Sequence, residues 1–253
     1  MPVSDLSAIE AFLRRAPYLH AYELGDLDPA ELPHCSWFAG DPVDAVALIY
    51  RGLATPTLVA LDHESPGAMN RLLATIALPP RFYAHVTAGV EAALLERCDG
   101  ELLGHHLKMG LAGAPIGDPG EVTRLGPRDV DDVIQFYAAA YPASYFEPAN
   151  LVRGPYVAVR DEHGLAAIAG VHVYSPAMRV ASLGNIATRP DARGRGHARR
   201  VTTAMCRLLR PEIDVIGLNV RADNAAAIAC YRAVGFETHH HYDEWRFTAR
   251  AGS

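Results

Sequence analysis

Hydrophobic positions along the chain follow helical spacing in some stretches and strand-like runs in others. Leu6, Ile9, Phe12 and Leu13 recur every three or four residues and predict an amphipathic helix over about residues 4–15. Apolar runs at 45–52 and 55–61 predict two strands. A helix at 66–76, a strand at 81–87, a helix at 89–99 and a strand at 105–111 are predicted to follow.

The C-terminal half repeats this order of elements with different local sequences. Val130, Val133, Ile134 and Tyr137 mark a helix, and a hairpin turning at 161–164 follows it. Next come a strand at 179–188, a helix at about 196–209, a strand at 215–221, a helix at 224–234 and a last strand near 245–249. The order predicts two pseudo-repeated α/β (α+β) domains with mixed sheets.

The stretch at 110–120 is rich in Gly, Pro and Ala and separates the two repeats. We therefore expect an N-terminal domain at 1–112, a linker at 113–120 and a C-terminal domain at 121–253.

Composition narrows the class of protein. Half of the 253 residues are hydrophobic and 21% are charged, which excludes disordered and collagen-like chains. The net charge of −6 is unlike that of a nucleic-acid or membrane-surface binder. The four cysteines are widely spaced, with no Cys-x-x-Cys pair, and the N-terminus lacks an apolar signal core. We expect a cytoplasmic protein with no membrane span.

An arginine- and glycine-rich loop joins the strand at 179–188 to the next helix. Its sequence from Arg193 to Arg199 places arginines at a helix N-terminus, where the helix dipole favours negative charge. An anion would resolve this conflict, because glycines let the backbone approach a phosphate and first-turn N–H groups can bind it. A solvated basic loop and a nucleic-acid contact are the alternatives.

A second pattern follows the strand at 215–221. Asn224 is a natural helix N-cap and Gly235 a natural residue just beyond the helix end. Tyr231 lies seven residues after Asn224, two helical turns on, so both side chains can share one face. A cap and a core tyrosine are the plain structural alternatives.

Taken together, these motifs resemble the GNAT superfamily of acyl-CoA-dependent N-acetyltransferases. The resemblance covers about residues 120–250. It depends on the strand ending in 184–188, on Arg193-x-x-Gly196-x-Ala198 at a helix start, and on Asn224 and Tyr231 at fixed distance before Gly235-Phe236. It is closest to a two-domain form whose N-terminal half is degenerate, and here residues 1–112 lack an Arg-x-x-Gly-x-Ala turn.

The resemblance implies a GNAT-like fold, acetyl-CoA as acyl donor and direct attack by an amine in a ternary complex. Tyr231 would be the general acid that protonates the departing thiolate, and Asn224 would contact the cofactor arm. The remaining implied acetyl-CoA contacts lie on the strand end and on the turn, at Ile186, Ala187, Thr188, Arg193, Gly194, Arg195, Gly196, His197, Ala198 and Arg199.

A base must take a proton from the attacking amine, whose ammonium form dominates at neutral pH. Glu147, His172 and Tyr145 are the candidates, since Tyr145 and Glu147 precede the core sheet and His172 lies on a strand near the expected cleft. The sequence does not choose among them. Direct attack needs no nucleophile, so Cys206 and Cys230 are interpreted as core residues.

Other interpretations stay open at this point. A CoA-binding regulatory or scaffold protein would keep the fold without turnover, and a nucleic-acid binder would use the arginines. Neither His239–His241 nor His105–His106 predicts a metal site, because neighbouring side chains on a strand point to opposite faces. We expect no metal and no nucleic-acid or membrane partner, and leave the acceptor amine and a homodimer open.

Overall fold

The chain divides into two compact units. The computed structural model describes residues 5–64, 66–144 and 146–250. Unit 1 contains the residues up to Lys108, Arg221–Asp223 and the residues from His239 onward, while unit 2 contains Met109–Val220 and Asn224–Thr238. The division between the units falls before the predicted linker at 113–120, and the end of the chain groups with its N-terminal half.

The elements of the N-terminal half follow the predicted order, with additions. The helices are α1 (Leu6–Leu13), α2 (Ala21–Asp26), α3 (Pro66–Thr75) and α4 (Glu91–Leu95). The strands are β1 (Cys35–Ala39), β2 (Val46–Tyr50), β3 (Thr57–Ala60), β4 (Arg81–Val86) and β5 (Cys98–Leu111).

The C-terminal half carries the matching series of elements. The helices are α5 (Val130–Ala140), α6 (Asn150–Arg153), α7 (His197–Leu209) and α8 (Ala225–Val234). The strands are β6 (Thr123–Leu125), β7 (Tyr156–Asp161), β8 (Gly164–Ser175), β9 (Val180–Thr188), β10 (Val215–Arg221) and β11 (Phe236–Ala249).

Strand pairing confirms the pseudo-repeat. In unit 1, β1–β2 and β2–β3 pair antiparallel and β3–β4 pair parallel. In unit 2, β7–β8 and β8–β9 pair antiparallel and β9–β10 pair parallel. In both series a helix, α3 or α7, connects the parallel strands, as a parallel pair requires. The fold is a mixed α/β fold, as the sequence predicts.

The last strand completes the sheet of unit 1. Residues 243–248 of β11 pair antiparallel with β4, from Asp243 opposite Val86 to Thr248 opposite Arg81. The sequence predicts only the end of this strand, because the earlier residues alternate between exposed and partly buried polar side chains. The start of β5 was missed for the same reason, since its residues 99–105 are largely exposed. The short elements α2, β1, β6 and α6 were also not predicted.

Apolar faces of the helices build the core of each unit. In unit 1, α3 and α4 bury Met69, Leu73 and Leu94 against the strands. In unit 2, α5 buries Val133, Phe136 and Tyr137. The helix α7 packs against β7, β8, β9 and α8, which fixes its N-terminus close to the end of β9.

A polar cluster lies buried on one face of the unit 1 sheet. Lys108 is 1% exposed, and its ammonium lies 4.8 Å from the ring centres of both Tyr22 and Tyr242. His85 lies opposite Glu244 in the β4–β11 register, with its Nε2 3.5 Å from the Glu244 carboxylate. Burial lowers the pKa of His85 to about 4, because Glu244 offsets only part of the desolvation penalty and Lys108 adds repulsion.

The largely buried His85, whose side chain is 18% exposed, predicts a loss of stability in mild acid. Its folded-state pKa lies below the ordinary 6.5 of histidine, so the unfolded chain binds more protons as the pH falls from about 6.5 to about 4. The free energy of unfolding should therefore drop between pH 7 and pH 5 by about 2 kcal/mol more in the wild type than in His85→Gln. Urea titrations at the two pH values measure this difference.

The matched control is His163→Gln, which changes a histidine with a 67% exposed side chain. It should keep the pH dependence of the wild type. The same drop in unfolding free energy for His85→Gln and the wild type would contradict the assignment.

Candidate functional site

The parallel strands β9 and β10 part in the middle of unit 2. Their pairing runs from Val180 opposite Val215 to Leu183 opposite Leu218. Both strands then continue, β9 to Thr188 and β10 through Asn219 and Val220, with no further pairing between them. The unpaired strand ends leave backbone N–H and C=O groups facing a cleft, and such groups need partners.

A bulge in β9 at Asn185 lies where the strands part. Gly184 pairs with Gly170 and Ala187 with Ile168, so Asn185 and Ile186 both lie opposite the single residue between those β8 partners. Asn185 has a φ of 52°. Asparagine adopts this left-handed conformation more readily than other residues with a side chain, and a bulge bends the strand that carries it.

Two buried tyrosines hold Asn185 in this conformation. The hydroxyl of Tyr137, on α5, donates to the Asn185 carbonyl at 2.6 Å. The Asn185 side-chain Nδ2 donates to the hydroxyl of Tyr156, on β7, at 3.1 Å. Burial raises the pKa of Tyr156 to about 12 and that of Tyr137 well above its usual range. Both tyrosines are therefore neutral hydrogen-bonding groups at physiological pH.

The turn before α7 is open and lined by backbone. Gly194 and Gly196 have φ values of 76° and 78°, and a Cβ at either position would have no other atom within 4 Å. Gly196 caps α7 without a side-chain hydrogen bond. Because the first turn of any helix has N–H groups without intrahelical partners, the amides of His197, Ala198 and Arg199 are available to a ligand. This arrangement suits an anion.

The arginines around this turn divide into two groups. Arg189 forms ion pairs with Asp161 and Asp191. Arg200, Arg207 and Arg210 donate to main-chain carbonyls. These four arginines are therefore structural, and three of them hold carbonyls within residues 111–121 against α7.

The remaining arginines leave charge at the open turn. Arg193 and Arg195 are exposed, and Arg193 makes a long bond of 3.4 Å to the Thr188 carbonyl. Within the described part of the chain Arg195 has no hydrogen bond or ion pair. Arg199 lies against Gly117. The basic loop predicted from the sequence thus reduces to three exposed arginines, Arg193, Arg195 and Arg199, beside free amides.

The helix α8 carries both residues of the second motif. The Asn224 side chain accepts a hydrogen bond from the Ala227 amide at 3.1 Å, so Asn224 is an N-cap. Tyr231 is 8% exposed, and its ring lies 6.2 Å from that of Phe236. Burial raises the pKa of Tyr231 far above its ordinary value, so its hydroxyl stays protonated at neutral pH.

The structure separates the candidate bases. The imidazole of His172 lies directly over Gly184, where a Cβ would sit 2.3 Å from the ring, one residue before the bulge. Glu147 is exposed, and its amide bonds to the Asn150 side chain at 2.6 Å before α6. Tyr145 lies outside the described residues. Of the described candidates, His172 is the one that contacts the bulged strand.

The equivalent place in unit 1 is closed. The parallel pairing of β3 and β4 runs from Thr57 opposite Tyr83 to Ala60 opposite Val86, the last residues of both strands. Because the strands pair to their ends, they leave no open backbone for a ligand. Unit 1 thus keeps the topology of unit 2 without its cleft.

Among the described residues no three His, Cys, Asp or Glu side chains are grouped to hold a metal ion. No described helix has both the length and the apolar character needed to span a bilayer.

Comparison with known proteins gives a family and a fold. Residues 128–236 match the model of the Acetyltransferase (GNAT) family. A search of curated proteins finds no significant match.

Solved structures of low sequence identity share the fold. A GCN5-related N-acetyltransferase from Kribbella flavida superposes with a TM-score of 0.62 at 16% identity, over 92% of this chain and 96% of that one. A putative GNAT acetyltransferase from Novosphingobium aromaticivorans gives 0.57 at 23% identity, over 81% and 89%. A tandem GNAT protein from the clavulanic acid biosynthesis pathway gives 0.55 at 17% identity, over 100% and 99%.

The matched segment spans α5 to the start of β11 and so contains the parted strands, the open turn and Tyr231. Residues 128–236 therefore form a domain of the GNAT family, and the whole chain shares its fold with a tandem GNAT protein.

Proposed function

We propose that this protein is an N-acetyltransferase that transfers the acetyl group of acetyl-CoA to a primary amine by direct attack in a ternary complex. The observation that supports it most is the meeting of two features in unit 2. The strands β9 and β10 part after Leu183 and Leu218, and α7 begins nearby with an open glycine turn.

The residues of unit 2 fit the acyl donor. A pyrophosphate suits the free amides of 194–199, with Arg193 and Arg195 adding positive charge. On the side that faces β10, the backbone of Ile186, Ala187 and Thr188 has no strand partner and offers hydrogen bonds to the amide groups of an extended arm. When bound, acetyl-CoA supplies an activated acetyl thioester.

Tyr231 is the proposed general acid. A free thiol has a pKa near 8.5, so a departing thiolate is a weak base and needs only a weak acid beside it in the transition state. The buried Tyr231 keeps its proton at neutral pH, which is the form that a donor requires. Asn224 caps α8 through Oδ1, and its Nδ2 is left for the cofactor arm.

His172 is the base that we favour for the attacking amine. Its ring contacts Gly184 beside the bulge, and histidine is the side chain that most often serves as a general base. Glu147 stays a second candidate on its exposed loop. We further propose that the protein works in the cytoplasm, in keeping with four free cysteines.

A substitution at Gly196 tests donor binding. Gly196→Glu places a side chain at a positive φ and a carboxylate in the open turn, where it repels a phosphate. Calorimetric titration with acetyl-CoA should give a micromolar Kd for the wild type and at least about a 30-fold weaker Kd for the variant.

Gly164→Glu is the matched control. It places the same residue at a φ of 100° with open space around it, but in the β7–β8 turn. It should bind acetyl-CoA like the wild type once its melting temperature shows a folded protein. Equal affinity of Gly196→Glu and the wild type would contradict the assigned turn.

Removing the Tyr231 hydroxyl tests the general acid. Tyr231→Phe should lower kcat by about 100-fold and leave the acetyl-CoA Kd nearly unchanged, because the ring still packs and only the proton is lost. Thiol release can be followed with glycinamide, tyramine, spermidine and a lysine peptide as acceptors.

Tyr242→Phe removes another buried tyrosine hydroxyl, which bonds Glu244 in unit 1, and should keep the wild-type kcat. An unchanged kcat in Tyr231→Phe would remove Tyr231 as the acid. Binding of acetyl-CoA with no thiol release for any amine would favour the alternative of a silent CoA-binding protein.

A further inference from the structure

Asn185 holds one buried polar atom that has no partner. The residue is 4% exposed. Its carbonyl accepts from Tyr137 and its Nδ2 donates to Tyr156. Its Oδ1 is buried and has no hydrogen bond anywhere in the described part of the chain.

Such an arrangement is costly. A buried amide oxygen without a donor destabilises the folded state, and a left-handed conformation outside glycine does so too. Both costs fall on one residue, and two tyrosine hydroxyls fix it in place. Buried polar atoms of native proteins nearly always find partners in the protein, in ordered water or in a ligand.

The position of Asn185 indicates which ligand supplies a hydrogen-bond partner for its Oδ1. It lies two residues after the last β9–β10 pair, at the bulge where the cleft opens, and next to the residue over which His172 packs. This is the place where the proposed function puts the acyl group and the attacking amine. An oxygen acceptor there matches a substrate N–H group.

We propose that Oδ1 of Asn185 accepts a hydrogen bond from an N–H group of a bound substrate. The inference depends on the proposed function. The N–H belongs either to the acceptor amine or to an amide of the donor's arm. Tyr137 and Tyr156 are then positioning residues, because they hold the amide that makes this bond.

Asn185→Gly separates the two sources of the N–H. Glycine tolerates the positive φ and keeps the carbonyl that Tyr137 bonds, so the change removes the side chain alone. If the amine donates, kcat/KM for the best amine of the panel should fall about 10- to 100-fold, with the acetyl-CoA Kd within about threefold. If an amide of the donor's arm supplies the N–H group instead, the acetyl-CoA Kd should rise at least about tenfold.

Three further variants sharpen the test. Arg179→Gly changes the other non-glycine residue of the described chain with a positive φ, 56°, at the far end of β9, and should keep both constants. Asn185→Asp keeps an acceptor oxygen and should retain kcat/KM within about fivefold. Tyr156→Phe removes the hydroxyl that fixes the side-chain amide of Asn185. It should impair the constant that Asn185→Gly impairs, kcat/KM or the acetyl-CoA Kd, by at least about threefold.

Circular dichroism and melting temperature establish that each variant is folded. Unchanged constants in folded Asn185→Gly and Tyr156→Phe overturn the inference, and Tyr156→Phe decides alone if Asn185→Gly does not fold. Failure of the proposed function looks different, because the wild type itself would then neither bind acetyl-CoA nor release thiol.

Discussion

The conformation of Asn185 is the constraint on which the proposed site depends. The strands β9 and β10 must pair to belong to one sheet, and they must part to leave backbone groups for a ligand. A left-handed residue at the bulge meets both needs, since the pairing ends two residues before it. Its conformational cost of about 1–3 kcal/mol is of the same size as two hydrogen bonds to buried tyrosines.

The N-terminal half shows that topology alone does not make this site. It has the same two antiparallel pairs and the same parallel pair, but β3 and β4 stay paired to their last residues. Its polar groups are instead buried on the sheet face around Lys108, His85 and Glu244. The two halves therefore differ in how a strand ends, and that difference separates an open cleft from a closed sheet.

Much of the fold follows from local pattern. The helices α3, α5, α7 and α8 and the strands β2, β3, β4, β7, β8, β9 and β10 lie where apolar spacing predicts them, because each buries one face or both. The open turn was also readable, since Gly194 and Gly196 stand at a strand-to-helix junction. The exposed starts of β5 and β11 carry no apolar pattern and were missed.

Local sequence pattern could not predict the residues that hold the cleft open. Tyr137 appears in the sequence as one more apolar helix position and Tyr156 as one more strand position, and only the fold brings both hydroxyls to Asn185. The signal that could have found Asn185 is a polar residue beside Gly184 within an otherwise apolar strand. Sequence likewise could not show that four arginines of the basic loop and α7 are structural, because their partners lie far along the chain or depend on backbone geometry.

In the proposed site, the end of β9 and the turn before α7 together hold the acyl donor. Hydrogen–deuterium exchange of the wild-type protein, with and without saturating acetyl-CoA, tests this proposal. We expect slower exchange of the amides at 186–188 and 194–199, since a bound ligand would protect them. Unchanged exchange there at saturation, or protection confined to unit 1, would contradict it.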